Sequence, residues 1–335
     1  MRVPKFWTST LSLSRFTNLF WIVPPMLVAG FLLAVNLLSR AQKMEAYRFF
    51  FTEIFWLAVP YGLIAFSALV SAFLARRWLA VFGTSLALLL AISATYARFI
   101  EPEQIVVRQT VMDVGAPLRV ALISDMHIGL FHGRARVQQI VDTLNSLDVD
   151  VVLVAGDWTY EPREPLSELL APLAQSRHRI LSVPGNHDEE MPGPPLAAEL
   201  RAALVAHRVE PIEGRVVNVK GVNFVGIGDR WAHKDIIAAG LNSQGPFVAL
   251  AHNPDSIDRL ATTPIRTLLA GHTHGGQINL PFATARVLKN ATQGGFKRGL
   301  YPLGERQVFV TSGLGMVGLP LRLFQPPVID VLVLN

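Results

Sequence analysis

The chain has 335 residues, a formal net charge of +5, no cysteine, and 51% hydrophobic against 16% charged residues. That length accommodates about two domains, and a charged fraction below the ~25% of soluble domains argues against a purely soluble protein. The missing cysteines exclude a disulfide framework, thiolate-ligated zinc and a thiol nucleophile, and the apolar content excludes a disordered chain.

Residues 1–100 carry nine Lys or Arg but only two acids, Glu45 and Glu53, whereas residues 101–335 carry a net charge of −2. The basic balance therefore belongs to the first hundred residues. A nucleic-acid-binding domain would itself be basic, so no nucleic-acid partner is expected. Three charge-free runs fill this region: Phe16–Ser39, Ile54–Ala75 and Trp78–Ala97. Each exceeds the ~18 apolar residues of a bilayer-spanning helix, with ionisable groups only between them. Residues 1–100 are thus expected to form a membrane region with about three transmembrane helices (16–39, 54–75, 78–97). Pro24, Pro25 and Pro60 are expected to kink or restart their helices. Flanking charge does not settle orientation, since each side holds five basic residues. The Arg76-Arg77 hairpin and the N-terminal amine favour the N-terminus inside, with the C-terminal domain outside the cytoplasm.

From Glu101 the pattern alternates between β and α. Apolar runs rich in β-branched residues predict strands at Leu118–Ser124, Val151–Ala155, Arg179–Val183, Asn223–Ile227, Phe247–Ala251, Arg266–Ala270, Val308–Thr311 and Val328–Leu334. Helices are predicted at Ala135–Leu147, Leu166–Gln175 and Leu196–His207. The fold class is α/β, over residues 101–335.

The polar residues cluster where these strands end. Asp125 and His127 follow the first, Gly156-Asp157 the second, Gly185-Asn186-His187-Asp188 the third, His252 a later one, and Gly271-His272-Thr273-His274 the last. Ligands in open α/β sheets gather at the carboxyl ends of strands. Carboxylate, amide oxygen and imidazole together suit divalent first-row cations. Asp125, His127, Asp157, Asn186, His252, His272 and His274 are too many donors for one tetrahedral ion and enough for two. A pair of cations about 3.5–4 Å apart clamps a phosphoryl group.

The ordered set DxH, GD, GNHD, H and GHTH resembles the calcineurin-like metallophosphoesterase superfamily. The strings GHTHGGQINLP and FKRGLY…TSGLGMVGLPLRLFQPP are similar to its bacterial branch of membrane-associated phosphodiesterases, the YkuE and YaeI type. The resemblance covers roughly residues 115–335. It implies a calcineurin-like two-sheet sandwich flanked by helices, here preceded by the N-terminal transmembrane helical region. It further implies two divalent metal ions (Mn, Fe or Zn), one held by Asp125, His127, Asp157 and His274, the other by Asp157, Asn186, His252 and His272. In that pattern a metal-bridging hydroxide attacks phosphorus. His187 steadies the phosphate or protonates the leaving oxygen, and Asp188 orients the His187 imidazole. Two departures stand out. Gly156-Asp157 continues as Trp158-Thr159-Tyr160 rather than a DRG-type string, which turns the reading away from protein phosphatases. The tail reads Pro326-Pro327-Val328, where the branch often has Glu after the proline pair.

His132 is a candidate for the site mouth. Arg230, Trp231 and His233 are candidates for substrate contact, and Lys297 and Arg298 for a phosphate or lipid headgroup. His178 and His207 read as ordinary surface histidines. The expected function is a phosphoester hydrolase of the bacterial inner membrane, acting on a phosphodiester or pyrophosphate, in a lipid-linked substrate. The alternatives are a UDP-2,3-diacylglucosamine diphosphatase of lipid A synthesis and a non-catalytic metal-binding membrane scaffold.

Overall fold

The structure, a computed structural model, describes residues 37–189, 196–237 and 244–335, together with positions 26, 30, 31, 34, 35 and 241. The chain divides into two compact units, Met1–Thr95 and Tyr96–Asn335. The expected first span, Phe16–Ser39, falls mostly outside the described residues.

In the first unit, Ser39 opens a helix at Arg40–Glu53 through a capping box with Gln42. A single 3₁₀ turn, Ile54–Leu57, runs into the helix Ala58–Leu74. Pro60 lies in the first turn of that helix, where backbone N–H groups lack intrahelical acceptors anyway, so it restarts the helix instead of kinking it. Arg76 turns the chain with a φ of 51°, and a further helix covers Trp78–Phe99. Ile54–Leu74 and Trp78–Glu103 are long and apolar enough to cross a membrane. Their large side chains stay uncovered: Leu79 is 91% exposed and Phe82 73%. Water would oppose such a surface, whereas hydrocarbon would not.

Among the described residues, the second unit holds fourteen strands. They are β1 (Val106–Met112), β2 (Leu118–Ile123), β3 (Ile128–Gly129), β4 (Val151–Ala155), β5 (Thr159–Tyr160), β6 (Ile180–Val183) and β7 (Val209–Pro211). Then come β8 (Val216–Val219), β9 (Val222–Gly226), β10 (Phe247–Leu250), β11 (Thr267–Ala270), β12 (Gly299–Leu303), β13 (Arg306–Val310) and β14 (Val328–Leu334). One six-stranded sheet has the order β1-β14-β2-β4-β6-β7 and the other β12-β13-β11-β10-β9-β8. Both are mixed. In the first, β14 pairs antiparallel with β2 and parallel with β1; in the second, β12 and β8 are antiparallel edge strands on a parallel centre.

Alternation along the strands makes the sandwich. Val120 and Leu122 of β2, with Val151 and Leu153 of β4, meet Phe224, Val248, Leu250, Leu269 and Phe309 of the other sheet. Ala121 and Ile123, pointing the other way, meet Val137, Ile140, Val141 and Leu144 of the helix Arg134–Asn145. That i, i+3, i+4, i+7 spacing is the apolar stripe of an amphipathic helix. Each such buried side chain contributes about 1.5–3 kcal/mol of transfer free energy, which fixes the central strands firmly and leaves their carboxyl ends as the place where chain direction changes.

Candidate metal centre

Asp125 and His127 follow β2, Asp157 follows β4, Asn186 follows β6, His252 follows β10, and His272 and His274 follow β11. All seven are buried. Five of them, Asp125, His127, Asp157, His272 and His274, adopt φ between 47° and 73°. For residues carrying a Cβ, this left-handed backbone costs about 1–2 kcal/mol each. Strain concentrated in this way is held by the rigid sheets and aims side chains inward.

The turns approach one another closely. Gly156 has φ 78°, and a Cβ there would lie 2.6 Å from Gly185 N. A Cβ on Gly185 would lie 2.2 Å from Asp157 Oδ1. Only glycine lets the loop after β6 sit against the loop after β4.

The donors converge. His127 Nε2 and His252 Nε2 lie 3.5 and 3.2 Å from Asp157 Oδ2. His274 Nε2 lies 3.4 Å from Asp125 Oδ1 and 3.0 Å from His127 Nε2. His252 Nε2 also faces Asn186 Oδ1 at 3.1 Å and His272 Nδ1 at 3.1 Å. Two donor triads meet the spacing needed to hold an ion, Asp125-His127-His274 and Asp125-Asp157-His252, their atoms all within 4.8 Å of one another. The sequence-predicted ligands are therefore brought together, with Asp157 Oδ2 between His127 and His252.

Three imidazoles are anchored from behind. His252 Nδ1 bonds Ala155 O at 2.8 Å, His272 Nε2 bonds Ala291 O at 3.1 Å, and His127 Nδ1 reaches Thr159 O at 3.4 Å. With one ring nitrogen set against a carbonyl, each ring turns its other nitrogen to the centre. His274 has no such anchor, and its Nδ1 is buried without a partner. Burial lowers His127 and His272 to about 3 and His274 well below the ordinary value, so their lone pairs stay available. At His252 burial opposes charge, but Asp157 and Asp125 outweigh it and raise the ring to about 10. Burial raises Asp125 to about 6. Burial acts in the same direction on Asp157, yet the surrounding imidazoles hold it well below its usual range. The carboxylates thus favour positive charge at this point, and Asp125 Oδ1 is buried with no hydrogen-bond partner. The neutral imidazoles of His127, His272 and His274 beside these carboxylates fit divalent cations.

His187 lies over this centre. Its backbone N–H donates to Asp157 Oδ1 at 3.0 Å, and its ring stands edge-on to His127 and Tyr160, with centroids at 5.0 and 5.3 Å. Asp188 departs from its expected role. Its carboxylate accepts from Gly185 N, Trp158 N, Thr159 N and Thr159 Oγ1 at 3.0–3.2 Å. With its oxygens engaged by four donors it staples the loops after β4 and β6 together, and it positions His187 only through the backbone. Burial raises it to about 7.

The remaining candidates separate. Trp231 packs edge-on to His272 at 4.6 Å. Arg230 bonds Asp255 O at 2.6 Å, and Lys297 reaches Asn279 Oδ1 at 2.6 Å. His132 is buried beside Arg136 and Arg322 and does not line a mouth. His178 and His207 cap carbonyls of Leu144 and Ser167. Sequence reasoning missed Tyr160, whose ring flanks both His127 and His187. Its place three residues after Asp157 in the second cluster is the only local signal. Sequence reasoning used the segment 312–325 only for its resemblance and gave it no structural role, whereas the segment underlies Asp125. Leu314 N and Gly315 N bond Ser124 O and Asp125 O, and the buried Arg322 guanidinium donates to the carbonyls of Ser312, Gly315 and Gln325. Glu101 accepts from Phe324 N and Gln325 N at 2.9 and 2.5 Å.

A buried array of seven oxygen and nitrogen donors, at the strand ends of a helix-flanked double-sheet sandwich, defines a candidate metal-binding domain. Residues 118–276 match the family described as calcineurin-like phosphoesterase, and the chain carries a calcineurin-like metallophosphoesterase domain. It is 33% identical over 221 residues to an "Uncharacterized metallophosphoesterase" of Helicobacter pylori strain J99, covering 62% of this chain and 57% of that protein. It is 32% identical over 225 residues to "Transmembrane protein with metallophosphoesterase domain" of Danio rerio, covering 62% and 50%. It is 26% identical over 223 residues to "Phosphodiesterase YaeI" of Escherichia coli K12, covering 63% and 80%. The chain thus spans about half the length of the first two relatives.

Proposed function

We propose that this chain is a membrane-anchored, metal-dependent phosphoester hydrolase that cleaves a phosphodiester or pyrophosphate bond. The observation that carries the reading is the convergence of two donor triads on Asp125, with Asp157 between His127 and His252. Asp125, His127, Asp157 and His274 would hold one divalent cation, and Asp157, Asn186, His252 and His272 a second. Such a pair supplies Lewis acidity and lowers the pKa of water. The chain's own contribution is orientation: the backbone carbonyls of Ala155, Ala291 and Thr159 fix the imidazole faces. His187, whose backbone N–H bonds Asp157, would be the group that gives a proton to a leaving oxygen.

The exposed apolar helices Ile54–Leu74 and Trp78–Glu103, and the printed name of the Danio rerio relative, support anchoring in a membrane. An active site tethered in that way favours a lipid-linked substrate. Localisation in a bacterial inner membrane follows the same reading, and the UDP-2,3-diacylglucosamine reaction is the specific alternative within it. The test uses full-length protein in detergent, with bis-p-nitrophenyl phosphate and Mn²⁺. Turnover is expected, is lost on chelation, and is abolished by Asp157→Asn. Undiminished turnover by that variant refutes the two-cation reading, and stoichiometric metal without turnover on any phosphoester favours the scaffold.

A further inference from the structure

Two strings singled out in the sequence, around Lys297-Arg298 and Thr311-Ser312, contribute no side chain to the donor set of the metal centre. They meet β1 and β14 at a cavity of about 180 Å³ that opens where the edges of the two sheets face each other. Arg108 and Thr110 of β1, Asp330 of β14, and Arg298 and Ser312 line it. Arg108 and Asp330 are register partners on adjacent parallel strands.

Two buried donors here are unsatisfied. Ser312 is 1% exposed, and its Oγ has no hydrogen-bond partner. Arg298 Nη1 is buried and equally without one. Neither guanidinium has an ion-pair partner within 4.0 Å among the described residues, although both lie close enough to Asp330 to bias it. Burial and then the charge of Arg108 make a proton on Arg298 harder to keep, which is the mark of two cations facing one space. The one acid present, Asp330, is itself buried, and its carboxyl is bonded by the Thr311 side chain. Two planar guanidinium forks and a hydroxyl with nothing to bind match a small tetrahedral oxyanion. The cavity is below the ~300 Å³ of typical small-molecule sites, so it fits one such group and not a nucleotide.

We propose that Arg108, Arg298 and Ser312 form a binding site for a phosphate group, separate from the cation ligands. Ser312 is adjacent to Gly313, where a Cβ would lie 2.6 Å from Asp125 Cβ, so the site flanks the metal centre along the same rim. The phosphate comes either from a phospholipid headgroup or from a free phosphate, and both present the same oxygens. The site does not depend on the hydrolase reading.

The test is calorimetric titration of inorganic phosphate into the full chain in detergent, with metal supplied and again after chelation. Chelation removes any phosphate bound through cations. The expected result is binding that survives chelation, weakened about tenfold or more by Arg298→Gln or Arg108→Gln and severalfold by Ser312→Ala. The serine variant changes no charge and keeps the arginines, so it decides the matter if an arginine variant does not fold. Absence of binding after chelation, or variants that all bind as the wild type does, overturns the proposal. Once binding is seen, phosphatidylcholine vesicles with and without phosphatidic acid identify the source. Competition only by the phosphatidic acid vesicles assigns a lipid headgroup, and no competition by either assigns a free phosphate.

Discussion

Replacing Gly185 by alanine tests how tightly the two central loops are interlocked. The added Cβ would sit 2.2 Å from Asp157 Oδ1 and 2.4 Å from Asp157 N, whereas ordinary contact begins at 3.4 Å. The methyl cannot rotate away, so either Asp157 or the loop holding Asn186 and His187 must move by about 1 Å. Overpacking of this kind costs about 1–3 kcal/mol of stability. The functional cost is larger, because Asp157 Oδ2 lies only 3.2–3.5 Å from His252 and His127, and its Oδ1 accepts the His187 N–H at 3.0 Å. A displacement of about 1 Å at reacting groups lowers rate by about a hundredfold. The assay is kcat/KM on bis-p-nitrophenyl phosphate beside the thermal midpoint, with Gly133→Ala as control, since a Cβ there meets nothing within 4 Å. A Gly185→Ala protein with kcat/KM within a few-fold of wild type would refute the argument that this contact sets the carboxylate.

Three other outcomes follow from the same geometry. His187→Ala should lower kcat by about 10²–10⁴-fold while metal content measured by elemental analysis is unchanged; lost metal would make it a ligand instead. Full-length wild type treated with a chelator should lose turnover and recover it on adding Mn²⁺, without a change in far-UV circular dichroism, because backbone hydrogen bonds already fix the ligands. The third concerns pH. Burial raises Asp330 from 3.8 to about 6, so its protonated form is favoured in the folded state. Its contribution is complete below about pH 4 and is lost as pH rises through about 6, a difference of about 3 kcal/mol. Denaturant titrations of wild type and Asp330→Asn should therefore diverge between these pH values, the wild type losing stability relative to the variant. Parallel curves would contradict the burial effect.

The central strands could be read from sequence because both faces are buried: Val151–Ala155 and Val328–Leu334 form over the residues expected. Edge strands were harder. In β1 every second residue is exposed, and β12 carries Pro302 within Gly299–Leu303, so neither shows a continuous apolar run. The expected helix Leu166–Gln175 is broken after Leu169 because Pro172 follows, and it continues as a 3₁₀ stretch at Ala171–Gln175. The seven donors were legible because each directly follows a strand, and direction of chain alone brings them to one rim. The role of Asp188 was not legible, since which atoms a buried carboxylate accepts from depends on loop packing. Nor was the bond from Phe324 to Glu101, 223 positions apart, which leaves no local pattern.

The left-handed turns at Asp125, His127, Asp157, His272 and His274 have a consequence for how cations enter. Ordering of these donors is completed when the sheets assemble, so little freedom remains to be lost on capture. Affinity then reflects chiefly the stripping of water from the ion, and exchange between metals of similar radius leaves the protein's shape alone. Selectivity among such ions would then rest on donor type and geometry together with supply.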